Sequence, residues 1–342
     1  MVFIKDLSRL EYVWIDADGE LRSKSKTIRN ESHRTLTLQD TVVWNFDGSS
    51  TGQASGNNSE VYLRPVKLYR DPFREESDYL VLCDTWLSDM TSPHPTNARY
   101  SSDVILRKVA QQCPWFGFEM EFFMMDIDTD LPLGFPESGE TPKQGKFYCS
   151  AGAGRAYGRE IIEKQYENCL LAGIHVTGIN AEVACGQWEY QVLGEGVGAA
   201  DDAWMTRYIL ARVCEEFNVY PSWDPKPIGG DCNGSGMHTN FSTIEMREPG
   251  GIKYILEAVN KLELKHKEHI KVYGKGNEKR LTGEHETAHI DKFSWGYADR
   301  RASVRIGHEI KLNKCGYLED RRVASSCDMY RVVERIVKTT LL

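Results

Sequence analysis

Residues 115–125 read WFGFEMEFFMM, a run in which carboxylates alternate with large apolar side chains. A β-strand separates such a pattern cleanly, because successive side chains point to opposite faces. Phe118, Met120 and Phe122 then look one way and Glu119 and Glu121 the other. A chain carrying this segment has to build a sheet with one oily face and one acidic face. Two carboxylates sharing a face repel, and each shifts the other's pKa, unless cations sit between them. A divalent-metal site is one reading of the pair, and a solvated sheet face is the other.

Three further segments bear on that choice. INAEVACGQWEYQV puts Glu182 near the end of one strand-like run and Glu189 on the next, where Gln187, Glu189 and Gln191 alternate with Trp188 and Tyr190. This reads as a second acidic face or as a surface hairpin. PKPIGGDCNGSGMHTNFST supplies glycines that let backbone approach a ligand, then a strand with His238, Asn240 and Ser242 on one face. A lone histidine is usually a hydrogen-bonded core residue, so its weight as a ligand comes from the acids around it. The segments KRLTGEHET, ADRRASVRIG and GYLEDRR gather Arg280, Arg300, Arg305, Arg321 and Arg322 among Glu286 and Glu319. Guanidinium forks match carboxylates and phosphates, although surface arginines paired with local acids would look the same. Carboxylates with a single histidine suit Mg or Mn better than a sulfur-rich zinc site. Together with the arginines they point to metal-assisted phosphoryl transfer from a nucleotide to a carboxylated small molecule.

Other chemistries are disfavoured. The P-loop pattern GxxxxGK[ST] is absent, and AGAGRAYGRE has glycine spacing one residue too long for a dinucleotide fingerprint. The 42 Lys+Arg against 50 Asp+Glu give a net charge of -8, which argues against a nucleic-acid partner. No apolar run approaches the roughly 18 residues of a membrane span, and the opening MVFIKDLSRLEY lacks leader features, so a cytoplasmic address is expected. Nine cysteines are scattered singly with no CxxC, and read as reduced, mostly buried small hydrophobes.

A length of 342 residues suggests two domains. Residues 1–95 are strand-like, with a hairpin around Asp18-Gly19 and TVVWNFDGSS as a strand running into a turn. SDMTSPHPTN is the linker candidate, followed by a helix with Val104, Ile105 and Val109 on one face. Residues 96–342 then alternate strands and helices as one large α+β domain. The helices expected there are GREIIEKQYENCLLAG, stopped by Gly173, DDAWMTRYILARVCEEF, opened by two Asp, and GIKYILEAVNKLELKHKEHI.

At these same residues the chain resembles glutamine synthetase of the eukaryote-like type II. The resemblance runs nearly the whole length, through YVWIDADGELRSKSKT, WNFDGSSTGQA, GFEMEFF, GINAEVACGQWEYQV, DPKPIGGDCNGSGMHTNFST, LTGEHETAHIDKFSWGYADRRASVRIG and GYLEDRR. It implies an N-terminal β-grasp domain over 1–95 and a catalytic domain over 96–342, whose curved antiparallel sheet is flanked by helices. It also implies a decamer of two pentameric rings with active sites between neighbouring subunits. The implied reaction condenses L-glutamate with ammonia at the expense of ATP through γ-glutamyl phosphate. Roughly two or three Mg2+ or Mn2+ ions would serve each site. Glu121, Glu182 and Glu189 would hold one ion, and Glu119, His238 and Glu319 the other. Asn233 and Gly234 would seat glutamate, with Arg280, Arg300 and Arg321 gripping its carboxylate or the phosphoryl group. Arg305 would contact nucleotide phosphates beside Glu119, Glu189 and Arg300, and Asn240, Ser242 and Tyr317 would lie along the nucleotide. Glu286, on a flap, would close over the intermediate, and Asp47 would reach across from the adjacent subunit to bind ammonium.

The chain departs from the family pattern at Cys232 in place of Trp, Met120 in place of Gln, Val323 in place of Pro, and in a shorter loop VYGKGNEKR. None of these removes an implied metal or phosphate ligand. A γ-glutamyl amine ligase and a non-catalytic protein of the same fold are the competing readings. Asp47 and Glu286 favour ammonia, since cation-binding acids suit a small ammonium ion.

Overall fold

The structure is a computed structural model describing residues 6–31, 34–74 and 76–342. Met1–Lys5, part of the opening on which the expected lack of a leader rests, lie outside the described residues. The chain divides into two compact units, Met1–Ser101 with Glu167–Ile174, and Ser102–Tyr166 with His175–Leu342.

In the first unit β1 (Leu7–Ile15) and β2 (Leu21–Arg29) form the expected antiparallel hairpin, with Gly19 at φ +89° supplying the left-handed turn. β3 (Trp44–Asp47), β4 (Glu60–Arg70) and β5 (Tyr79–Trp86) complete a sheet of order β2-β1-β5-β4-β3, in which only β1 and β5 run parallel. The core of this unit includes Leu10, Tyr12, Trp14, Val61, Leu63 and Val81. The β3 strand runs straight into a turn over Gly48–Thr51, as TVVWNFDGSS suggests.

Helix α1 (Ala98–Arg107) follows the proline-containing linker. Of the face expected at Val104, Ile105 and Val109, Val109 is buried but lies past the helix end, whereas Val104 is 40% exposed; within α1 the residues turned inward are Ala98, Ser102 and Leu106. Their spacing of four follows one side of the helix, and the buried Ser102 hydroxyl donates to Tyr330 O at 3.1 Å, which lets a polar residue occupy a core position.

The second unit contains β6 (Trp115–Asp126), β7 (Val176–Ala181), β8 (Gln187–Glu195), β9 (Val219–Ser222), β10 (Met237–Ser242), β11 (Trp295–Tyr297), β12 (Val304–Ile306) and β13 (Leu318–Asp320). They form one sheet of order β11-β12-β13-β10-β6-β8-β7, with β9 also paired to β6. Every pairing is antiparallel except β11 with β12. Helices α3 (Gly196–Glu215), α4 (Ile244–Arg247), α5 (Ile252–Leu264), α6 (His266–Ile270), α7 (His308–Asn313) and α8 (Met329–Thr340) complete the α+β arrangement, while α2 (Arg159–Leu171) begins in this unit and ends in the first. The oily face of β6 packs beneath α3, and Phe118, Met120 and Phe122 are all 0% exposed. Burying each such side chain contributes on the order of 1.5–3 kcal/mol, which is what keeps the acidic side of the strand facing outward.

Two helix expectations need correcting. α3 begins at Gly196 rather than at the pair of acids, and Asp201 is buried in its second turn, accepting from Tyr330 Oη at 2.7 Å. Its carboxylate serves packing and not the helix dipole. The segment GIKYILEAVNKLELKHKEHI is two helices, broken at Lys265, whose φ of -109° and ψ of 15° leave the helical region. Gly173 stops α2 as expected, at φ +83°.

Candidate active site

The strand register builds the site. Residues directly opposite one another in an antiparallel ladder share a face. Glu119 lies opposite His238 and Gln191, Glu121 opposite Glu189, and Glu189 opposite Asn180. On the other flank Asn240 lies opposite Glu319, and Glu319 opposite Arg305. Six strands therefore turn polar alternates to one side, and Glu182 joins them one residue beyond β7. All of these but Asn240 line a cavity of about 520 Å³ together with Asn233, Gly234, Arg280, Glu286, Arg300 and Arg321. The carboxylates of WFGFEMEFFMM are thus not on a fully solvated sheet face: Glu121 is 9% exposed and the Glu119 side chain 27%.

Within the cavity Glu121, Glu182 and Glu189 each bring an oxygen within 4.8 Å of the others, and so do ligand atoms of Glu119, Glu189 and His238. Glu319 stands outside both groups. Its two oxygens accept from Arg321 Nη1 at 2.5 Å and Arg305 Nη1 at 2.7 Å, and it lies 3.8 Å from His238 Nδ1. Burial, then the charge of Glu121, pushes the Glu182 carboxyl up to about 8. Burial, then Glu119, Glu121 and Glu182, raises Glu189 well above the carboxylate range. Burial, then Arg321, drives His238 far below its usual value, so its imidazole is neutral. Compensation from the chain is incomplete: Gly236 N–H donates to Glu121 at 2.7 Å, Asn240 to Glu119 at 2.8 Å and Gln191 to Glu189 at 2.5 Å.

Arg280 is buried at the rim, with Nη2 donating to Arg321 O at 3.0 Å and standing 3.1 Å from His238 Nε2. Its Nη1 and the Nε of Arg305 are buried without a hydrogen-bond partner among the described residues. Gly234 is required sterically, because a Cβ there would lie 2.2 Å from Pro225 O. Gln187 Nε2 donates to Gly234 O at 3.1 Å and fixes that loop. A second cavity of about 530 Å³ shares Glu119 and Gln191 with the first and continues along Asn240, Trp115, Ser242, Arg247 and Tyr317. Its wall is largely apolar, and it adjoins the acidic cavity at Glu119 and Gln191.

The loop after Leu281 rises over the first cavity, pinned at its base by a Thr282–His289 bridge. His285 and Glu286 at its tip hold φ of 51° and 60°, left-handed conformations that are strained for residues with a Cβ. Asp47 lies in the first unit, where its carboxylate caps its own turn, accepting from Ser49 N at 3.0 Å and Ser50 Oγ at 2.7 Å. The Ser49 and Ser50 hydroxyls hold its pKa low. Cys232 is buried and its thiol donates to Ile228 O at 3.3 Å. No disulfide joins the cysteines, and all but Cys113, Cys149 and Cys315 are buried.

Some lining residues escaped the sequence reading. Tyr148, Asn180, His285 and Thr287 all face the first cavity. Asn180 carried a signal, since it precedes Glu182 by the two residues that keep a strand on one face. Tyr148 and the loop residues carried none, because irregular backbone has no period to read. Arg322, grouped above with the site arginines, turns to the opposite face and grips Asp320 at 2.6 Å, 1% exposed.

Comparison with known proteins follows the same two sheets. The model of the "Glutamine synthetase, beta-Grasp domain" matches residues 6–88, and that of the "Glutamine synthetase, catalytic domain" matches residues 106–250. Glutamine synthetase of Neurospora crassa is 49% identical over 330 residues, 96% of this chain and 90% of the relative. That of Hebeloma cylindrosporum is 48% identical over 338 residues, 98% of this chain and 94% of the relative. The cytosolic isozyme 1-2 of Oryza sativa is 49% identical over 336 residues, covering 97% and 93%.

Proposed function

The chain belongs to the glutamine synthetase family, and from that premise we propose how its residues join L-glutamate to ammonia at the expense of ATP. The observation that carries the reading is the meeting of four glutamates, one neutral imidazole and unpaired arginine donors where two cavities join. The family's chemistry is ATP-dependent and metal-assisted. The residues fit divalent cations, because Glu121, Glu182 and Glu189 crowd together under burial with too few donors to offset their charge. Glu121, Glu182 and Glu189 would hold one Mg2+ or Mn2+ ion, and Glu119 and His238, with Glu189 or Glu319, another. Bound there, such ions would draw negative charge off the nucleotide's phosphates.

The protein's own groups do the rest. Asn240, Ser242 and Tyr317 take the nucleotide in the apolar cavity, with its phosphates directed at Arg305 and Arg300. Asn233, Gly234, Arg280 and Arg321 fix glutamate so that its γ-carboxylate oxygen attacks the terminal phosphorus in line and ADP leaves. Arg300 and Arg305 offset the charge that builds on the transferring group. Glu286 closes with its loop and excludes water from the γ-glutamyl phosphate. Asp47 of a neighbouring subunit holds ammonium. Its low pKa keeps it an anion that takes a proton from ammonium before the attack; the ammonia so formed adds to the γ-carbonyl carbon, the C–O bond to the phosphoryl group breaks, and phosphate leaves. The site is completed between subunits in a decamer of two pentameric rings. A cytoplasmic location accords with the name of the rice relative, and no helix among the described residues is long and apolar enough to cross a membrane.

The test is amine dependence. With Mg2+, ATP and glutamate the protein releases phosphate slowly, and ammonium accelerates release with stoichiometric glutamine. Equal release without any amine overturns the reading, and preference for methylamine or putrescine over ammonium transfers it to a γ-glutamyl amine ligase.

A further inference from the structure

His266 opens α6 behind the sheet and is 7% exposed. Its two ring nitrogens meet groups that leave no choice of tautomer. Arg322 Nη1 lies 3.0 Å from Nδ1, and since a guanidinium only donates, Nδ1 accepts. Ile290 O lies 2.7 Å from Nε2, and since a carbonyl only accepts, Nε2 carries the proton. Ile290 closes the base of the loop that bears Glu286, its own N–H donating to Leu281 O at 2.9 Å beside the Thr282–His289 bridge. Arg322 grips Asp320 through Nε at 2.8 Å and Nη2 at 2.6 Å. Asp320 follows Glu319 on β13, and alternation puts that glutamate on the cavity side. One imidazole therefore ties the foot of the loop to the strand that carries Glu319.

We propose that His266 is a positioning residue for closure of the Glu286 loop, setting how well the intermediate is kept from water. The proposal rests on the reading above, in which that loop shields γ-glutamyl phosphate. The loop tip is mostly exposed and left-handed at His285 and Glu286, so its placement depends on its base. Without the Nε2–H donor the Ile290 carbonyl loses its tie and the base loosens. Water then attacks the acyl phosphate, the C–O or O–P bond breaks, and glutamate and phosphate leave. The net turnover is ATP plus water to ADP plus phosphate, with no glutamine formed.

The experiment measures glutamine formed per phosphate released, in full-length protein at saturating ammonium. It compares the unmodified protein with His266→Asn, His266→Gln and Glu286→Ala, with thermal midpoints recorded alongside. Asn presents an acceptor to Arg322 but cannot reach Ile290, whereas the amide of Gln reaches the position of Nε2. The expected result is a severalfold lower ratio for His266→Asn, approaching that of Glu286→Ala, and a ratio close to the unmodified protein's for His266→Gln. His266→Ser, which also lacks the donor, is read in the same way if the Asn chain does not fold. An unchanged ratio in the donor-less chain overturns the proposal whatever happens to its thermal midpoint, and so does an equal fall in the Asn and Gln chains. If Glu286→Ala keeps full coupling, the shielding role of the loop fails and this proposal falls with it; if Glu286→Ala leaks and His266→Asn does not, only the proposal falls.

Discussion

Glu189 is the one carboxylate whose oxygens belong to both clusters of candidate ligands, while Glu182 belongs to one. That difference makes the two glutamates separable. Truncating Glu189 removes a ligand from each cluster, whereas truncating Glu182 removes one from a single cluster. Glu189→Ala is therefore expected to weaken Mn2+ at two positions, and Glu182→Ala at one, in a titration calorimetry experiment that counts ions per chain. Each is expected to lower turnover by about 100-fold or more, because electrostatic stabilisation of a transferring phosphoryl group is the largest catalytic contribution here. Identical stoichiometry in both variants would remove Glu189 from its shared role. Much of this site was legible because alternation puts Glu119 with Glu121 on one face of its strand and His238 with Asn240 on one face of theirs, and the pairing of His238 with Glu119 makes the two faces one. Alternation failed for Arg321 and Arg322. They adjoin a strand of three residues, too short for a period to be read, and only the pairing of Asp320 with Val304 and Thr239 shows which way each points.

At the scale of elements, α6, β13 and α8 are joined by a polar network that no sequence pattern announced. His269 Nδ1 meets Tyr273 Oη at 2.5 Å, and that hydroxyl donates to Asp320 at 2.8 Å. His269 therefore donates from Nδ1, and its Nε2 meets Thr339 Oγ1 at 2.7 Å. Burial, then the charge of Arg322, lowers the His269 pKa from 6.5 to about 3, with Asp320 opposing and Arg335 adding to the shift. The unfolded chain binds this proton near 6.5 while the folded chain resists until about 3, so stability from this group is present above 6.5 and is lost as pH falls through 3. The urea midpoint is expected to fall on acidification across that window, with a shallower fall in His269→Gln; equal slopes would locate the acid sensitivity elsewhere. The Arg322–Asp320 pair is almost completely buried, and removing one partner strands the other. Arg322→Met is expected to cost about 3–5 kcal/mol in a denaturant titration, and a cost below about 1 kcal/mol would show that the pair is dispensable for folding. Helix boundaries were less legible than strand faces for a related reason. Asp201 and Asp202 look like a helix start, yet Asp201 is satisfied by Tyr330, a contact 129 residues away that local sequence does not reveal.

For the whole molecule, the first unit holds Asp47 and the second holds the glutamates, so the proposed assembly has a consequence that a self-contained subunit would lack. If Asp47 acts on a neighbour's site, a subunit with Asp47→Ala still carries intact metal ligands, and a subunit with Glu121→Ala still carries an intact Asp47. Each variant alone is expected to be nearly inactive, because every site in its rings lacks one necessary group. Co-assembled at equal amounts, they place an intact Asp47 beside an intact Glu121 at about a quarter of the junctions in a closed head-to-tail ring. Activity should therefore return to about a quarter of the unmodified level after joint refolding, and not after mixing preassembled rings that exchange no subunits. A site built within one subunit gives no recovery under either protocol, since every chain then carries its own defect. The measurement separates the two arrangements by activity alone, and sedimentation of the same samples reports whether the active species is the decamer.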